Sequence, residues 1–451
     1  MERRSDVDYI QEFLEFLSIP SVSALPSHKA DIVRAAEWLK GRMIRAGIGD
    51  VQVIPTKGHP IVYGHARAKD ASAPTVIMYG HYDTQPADPL NEWHSEPFKP
   101  EVRDGKIYAR GAADDKGGVF PTVVAVEEML KSGNLPVNLK FLFEGEEEIG
   151  SPNLKTLLSE RKDLLAADLA VSVDGGMYSR EIPSVTTGCR GLSAIQIDVI
   201  GPKQDLHSGG AGGAVQNPLN ALAQIIASMK GPDGKITVQG FYDDVVELSP
   251  EERQAFAAVP FDPEAVRVQA GVPELFGEEG FTVPERLWAR PTLDVNGIWG
   301  GFQGEGIKTI IPARASCKIT CRLAPNQEPD KICSLLEAHV KSHAPKGVKV
   351  NVTVFPGNSR PYVVPKEHPV LPVMAKALKE IYGRDPVTVR LGGTLPIARA
   401  FLDILGIYLV FFATSSPDEN VHGPNEFYRV EEFERLRTGL PVLLRELRSA
   451  L

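Results

Sequence analysis

The sequence predicts an α/β domain with a mostly parallel central sheet, interrupted by an inserted α+β domain in which two helices accompany an antiparallel sheet. Three observations predict it. Short continuous apolar runs alternate with helical patterns over the first 185 or so residues, as they do where strands are covered on both faces by helices. After about residue 185, segments that alternate apolar and polar residues take over, the pattern of half-exposed antiparallel strands. From about residue 366 the first texture returns. Length agrees, because single cores stop growing near ~250–300 residues and this chain has 451.

Taken in order, Ser5 is a plausible N-cap for a first helix, with Ile10, Phe13, Leu14 and Leu17 following at helical spacing. "TVIMYG" (75–80), "LKFLF" (139–143) and "LAVSV" (169–173) read as buried strands. Between the first two, "GGVFPTVVAVEEMLKSG" (117–133) reads as a helix that stops at Gly133. In the second texture, "LSAIQIDVIG" (192–201) and "ASCKITCRLAP" (315–325) read as antiparallel strands, with helices at 217–230 and 331–343. The Pro-rich stretch 243–294 reads as long loops and short helices. A helix through "VLPVMAKALKEIYG" and a buried strand at "ILGIYLVFFA" (404–413) close the chain. The resulting division is 1–185, 186–363 and 364–451, the outer two segments forming one domain.

Composition narrows the function. Forty-nine basic against 58 acidic side chains give a net charge of −9, which argues against nucleic-acid and anionic-membrane partners. The N-terminus is charged and then amphipathic, and the longest greasy run is too short to span a bilayer. Cys189, Cys317, Cys321 and Cys333 form no CxxC pair, and buried reduced thiols in a cytoplasmic protein are expected.

The chemistry gathers just past the apolar runs. His81, Tyr82 and Asp83 follow "TVIMYG"; Glu144, Glu146, Glu147 and Glu148 close and follow "LKFLF"; Asp174 follows "LAVSV"; "ENVHGPNE", with His422, follows the last run. Ligands bind beyond the carboxyl ends of strands in open α/β sheets, and His, Asp and Glu are ligand types for zinc or manganese. Each feature alone has a plainer reading: a hydrogen-bonded histidine, a solvated glutamate face, an Asp-Gly-Gly turn, an Asp114–Asp115 helix cap. Together they make a carboxylate cluster that is costly unless a cation compensates it.

The motifs "GHYDTQP", "YARGAADDKGG", "EGEEEIGS", "SVDGG", "DLHSGGAGG", "GGTLPI" and "HGPNE" occur between residues 81 and 426. In that order they resemble the dinuclear-metal peptidases, the family of carnosinases, cytosolic nonspecific dipeptidases, glutamate carboxypeptidase, aminoacylase and succinyl-diaminopimelate desuccinylase. The resemblance implies two divalent ions per subunit, Zn2+ or Mn2+, with Co2+ also compatible. It implies His81, Asp114 and Asp174 on one ion and Asp114, Glu148 and His422 on the other, Asp114 bridging. Family members often carry a non-acidic residue where Asp115 stands.

By the same resemblance, Asp83 orients the His81 imidazole and Glu147 is the general base, while Glu146 has no assigned role. His207 resembles a histidine that stabilises the oxyanion from the partner subunit of a homodimer formed through the inserted domain. Arg322, Gly392, Gly393 and Thr394 resemble a clamp for the substrate's C-terminal carboxylate. The implied partner is a small peptide. Asp rather than Glu at position 174 places the chain nearer the dipeptidase branch and favours substrates with a free α-amine. The alternatives are an N-acyl-amino-acid deacylase on the same centre and, in another class, a non-catalytic metal-binding scaffold. A serine hydrolase is disfavoured, since no GxSxG occurs.

Overall fold

A computed structural model describes residues 6–451, so Ser5 lies outside the described residues. The first helix runs over Asp6–Leu17. The chain divides into two compact units: one comprises the residues through Thr187, Val364–Thr388 and Ala400–Leu451, the other Gly188–Val363 and Val389–Arg399. The segment Val389–Arg399, which carries Gly392–Thr394, thus groups with the second unit.

The first unit is built on a six-stranded sheet in the order Gly49–Ile54, Ile61–Ala66, Asn138–Glu144, Thr75–His81, Leu169–Ser172, Leu409–Phe411. Its last three junctions are parallel and its first two antiparallel. The mostly parallel sheet expected from the apolar runs is present. Its antiparallel margin left a weaker trace, because Gly49–Ile54 is largely exposed and antiparallel edge strands on parallel sheets are common.

Helix Lys116–Ser132 buries thirteen of its residues and ends at Gly133 with φ 70°, where glycine carries no Cβ penalty. Phe120 on this helix stacks on Phe13 at 5.4 Å and meets Phe433 at 6.0 Å. Phe433 opens the buried stripe Leu436, Leu440, Leu443, Leu444 and Leu447 of helix Val430–Arg448, the three-and-four spacing of a helix face on a core.

The apolar run 404–413 is only partly strand. Phe401–Leu405 forms a π-helical turn that Gly406 closes with φ 74°, and the strand proper is Leu409–Phe411. Hydrophobicity alone does not separate a buried helical turn from a buried strand.

The second unit has a four-stranded antiparallel sheet in the order Thr292–Gly300, Arg314–Leu323, Gly191–Ile200, Lys349–Val354. Strand Gly191–Ile200 alternates buried and half-buried residues throughout. Its buried Ile195, Ile197 and Val199 share a core with Ala221, Leu222 and Ile225 of helix Pro218–Ala227 and Ile332, Leu336 and Val340 of helix Pro329–His343. Stretch 243–294 contains the short helices Pro250–Ala257, Pro263–Ala270 and Val283–Trp288, capped by Ser249, Asp262 and Thr282. All four cysteines are buried free thiols. Among the described residues no helix is long and apolar enough to cross a membrane.

Candidate metal centre

Strand register carries the acidic residues to one place. Thr75–His81 lies parallel to Asn138–Glu144 with His81 opposite Glu144. On its other side Tyr79 pairs with Ser172, so Asp174, two residues on, leaves the same end of the sheet. Phe411 in turn pairs with Ser172, and the chain then runs on to His422. Sequential strands that end together deliver His81, the glutamate run, Asp174 and His422 to the carboxyl edge of the sheet.

Two donor groups result. His81, Asp114 and Asp174 form one; Asp114, Glu148 and His422 form the other. His81 Nε2 stands 3.0 Å from Asp114 Oδ1 and 3.9 Å from Asp174 Oδ2. His422 Nε2 stands 3.0 Å from Asp114 Oδ2 and 3.2 Å from Glu148 Oε2. Asp114 therefore offers one carboxylate oxygen to each group.

The electrostatics suit a divalent cation. Burial alone lowers the His81 pKa, but hydrogen bonds to Asp114 and Asp83 outweigh it and hold the imidazole well above its ordinary value. Hydrogen bonds to Asp114 and Glu148 raise His422 to about 10. Burial, then the Asp114 charge, raises Asp174. Burial, with the charges of Asp174, Glu148 and Asp114 opposed by His81, raises Glu147 above the usual carboxylate range. Burial and mutual repulsion disfavour so many carboxylate charges in one place, and a bound cation supplies the balance. Two imidazoles and three carboxylates are a donor set for zinc, manganese or cobalt.

The surrounding loops are held by side chains that reach backbone groups. Asp83 is fully buried; its carboxylate accepts from the amides of Glu147 and Glu148 at 3.2 and 3.1 Å. The expected contact with the imidazole is shared: His81 Nδ1 lies 3.1 Å from the Asp83 carbonyl oxygen and 3.4 Å from Asp83 Oδ1. Asp115 precedes helix Lys116–Ser132 without a side-chain cap; its Oδ2 instead accepts from the His81 amide at 3.1 Å. Gly111 has φ 80°, and a Cβ there would meet Thr84 Cγ2 at 2.4 Å, so the approach to Asp114 requires glycine. Glu146 is not solvated. It is buried and accepts from the His59 amide and from Asn153 Nδ2.

Within the second unit, Arg322 donates from Nη1 to Thr394 Oγ1 at 2.8 Å, and the Gly392 carbonyl accepts from Arg190 Nε at 2.9 Å. Gly393 has open space where a Cβ would stand. His207 is exposed, its Nδ1 accepting from the Gly209 amide at 3.0 Å.

The sequence motifs gave no role to Glu144, Arg110, Glu426 or Arg190. Glu144 is buried and accepts from Tyr79 and Ser151 hydroxyls at 2.6 and 2.9 Å. Arg110 and Glu426 stand inside "YARGAADDKGG" and "HGPNE", but a charged residue beside a ligand carries no local mark of burial.

Residues 77–445 match the model of peptidase family M20/M25/M40. The chain is 31% identical to the Cys-Gly metallodipeptidase dug1 of Schizosaccharomyces pombe, over 96% of this chain and 94% of that protein. It is 31% identical to the human Beta-Ala-His dipeptidase, over 93% and 86%. Among solved structures, a M20 family metallo-carboxypeptidase from Sulfolobus solfataricus superposes with a TM-score of 0.83 at 32% identity, covering 98% of this chain and 99% of the other. Human carnosine dipeptidase 1 gives 0.78 at 28%, covering 98% and 96%. The motif order, the shared donor Asp114 and these full-length similarities agree: the chain belongs to peptidase family M20/M25/M40.

Proposed function

We propose that this chain is a metal-dependent dipeptidase that hydrolyses short peptides with a free α-amine. The observation that supports it most is Asp114, whose two carboxylate oxygens each stand 3.0 Å from an imidazole of a different donor group. A carboxylate shared by two donor groups keeps two ions close together, as two-metal catalysis requires. His81, Asp114 and Asp174 would hold one ion and Asp114, Glu148 and His422 the other, as Zn2+ or Mn2+, Co2+ also fitting. Bound there, the ions would polarise the scissile carbonyl and acidify a water.

In this reading Glu147 accepts the proton of the attacking water and returns it to the amine nitrogen as the C–N bond breaks. Asp83 holds the Glu147–Glu148 turn through its two amides. Arg322, Thr394 and the amides of Gly392 and Gly393 receive the substrate carboxylate, for which a guanidinium fork is suited. His207, exposed on the second unit, stabilises the oxyanion of a partner subunit in a homodimer. In the division of labour we propose, the catalytic domain comprises 1–185 and 364–451, and 186–363 is the dimerisation and lid domain. The protein works in the cytoplasm.

A carboxypeptidase reading is favoured by the similarity to the Sulfolobus metallo-carboxypeptidase. One assay separates the readings. Metal-loaded and chelator-treated protein is given a free dipeptide, its N-acetylated counterpart and a tripeptide. Chelator-sensitive cleavage of the free dipeptide alone supports the dipeptidase. Release of the tripeptide's last residue at equal efficiency makes it a carboxypeptidase, and cleavage of only the acetylated compound makes it a deacylase. Cleavage of none, with metal bound, leaves a scaffold.

A further inference from the structure

Two fully buried charges near the donors have no part in the chemistry above. Glu426 Oε1 accepts from the amides of Ala113 and Asp114 at 2.9 and 3.1 Å, and its Oε2 from the amide of Gly111 at 2.9 Å. Oε2 also accepts from Arg110 Nη1 at 2.7 Å. Arg110 Nη2 then donates to the His422 carbonyl at 3.0 Å and to the Pro86 carbonyl at 3.2 Å, with its guanidinium over the Trp93 ring. One ion pair thus joins the backbone that bears Asp114 to the backbone that bears His422. Neither side chain has a hydrogen bond to a donor side chain.

His422 needs such a hold more than the other donors do. It takes φ 64°, between Asn420 at 53° and Asn425 at 60°, a left-handed conformation uncommon for residues with a side chain. Its ring is half exposed, whereas His81 sits fully buried within a paired strand. His81 and Asp174 are placed by strand register; His422 lies on the loop between the paired strands Leu409–Phe411 and Phe427–Arg429 and within neither.

We propose that Arg110 and Glu426 are positioning residues for the donor group Asp114, Glu148 and His422, and that the hold of Arg110 on His422 sets that group's affinity for a divalent cation separately from the group built on His81 and Asp174. The proposal rests on the two-ion reading of the centre. Outer partners that orient metal ligands are worth about 10–100-fold in affinity. A lysine at 110 keeps the charge beside Glu426 but cannot also reach the His422 carbonyl with a second arm.

The test is a stepwise Zn2+ titration against a chromophoric chelator for wild type, Arg110→Lys and Glu426→Gln, each melted metal-free beforehand. Wild type binds two Zn2+; fewer would overturn the two-ion reading itself, and this inference with it. Arg110→Lys is expected to keep one tight equivalent and to weaken the other by about 10–100-fold, and Glu426→Gln, which also releases the amide of the shared Asp114, to weaken both. Two unchanged equivalents in either folded variant, or equal weakening of both in Arg110→Lys, overturns the inference while the two-ion reading stands. Should Glu426→Gln not fold, Arg110→Lys decides alone.

Discussion

The carboxylate of Asp83 accepts the backbone amides of Glu147 and Glu148 at 3.2 and 3.1 Å. The residue two positions after His81 therefore sets where the proposed base and its neighbouring ligand stand. Glu147 begins a short 3-10 turn, Glu147–Ile149, directly after its strand. The amides at the start of such a turn have no partner of their own, and the buried carboxylate supplies one to each.

Replacing Asp83 with Asn leaves one acceptor and turns an amide group on the other N–H. An unsatisfied buried donor costs about 1–3 kcal/mol. Asp83→Asn is expected to lower kcat by about 10–100-fold and to weaken metal binding as well, because the same carboxylate holds the amide of Glu148 and faces His81 Nδ1. Turnover and metal affinity both near wild type would show that the Glu147–Glu148 turn holds its place without Asp83.

For Glu147→Gln the expectation is loss of turnover by at least about 10²-fold, the range of positioned acid–base groups. Two ions should still bind, because neither donor group includes Glu147. Metal analysis and kcat on one sample test this. Turnover retained to within a few-fold would remove Glu147 from the role of base.

Arg322 donates to Thr394 at 2.8 Å, leaving the rest of its fork for a carboxylate. Charged hydrogen bonds contribute about 1.5–3 kcal/mol, so Arg322→Met should lower kcat/KM for a free dipeptide by about 10–100-fold. The same dipeptide with an amidated C-terminus should be affected far less. Equal losses on both would count against carboxylate recognition.

Gly111→Ala probes the fold beneath the centre. Residues with a side chain held in left-handed backbone cost about 1–3 kcal/mol, and here the new methyl would also lie 2.4 Å from Thr84 Cγ2. Urea unfolding of the metal-free protein should show a loss of at least about 2 kcal/mol. An unchanged midpoint would mean that the loop before Asp114 relaxes freely.

The sequence by itself determined the two textures and most elements within them. Thr75–His81, Asn138–Glu144 and helix Lys116–Ser132 fall within a residue or two of their apolar patterns, because burial on a strand or helix face repeats locally. Its motifs also named the members of both donor groups, His81, Asp114, Asp174, Glu148 and His422.

Tertiary structure alone decided the rest. Local hydrophobicity spread the last strand over 404–413, where only Leu409–Phe411 pairs with Ala170–Ser172. Nor did any spacing in the chain show that Asp83 would reach residues 147 and 148, or that Glu426 would bind amides more than three hundred positions earlier. Parallel register of Thr75–His81 with Asn138–Glu144 brings Asp83 to residues 147 and 148, and antiparallel pairing of Phe427–Arg429 with Lys106–Tyr108 brings Glu426 to residues 111–114. Once there, each buried carboxylate must find donors, and it takes the loop amides that burial would otherwise leave without partners.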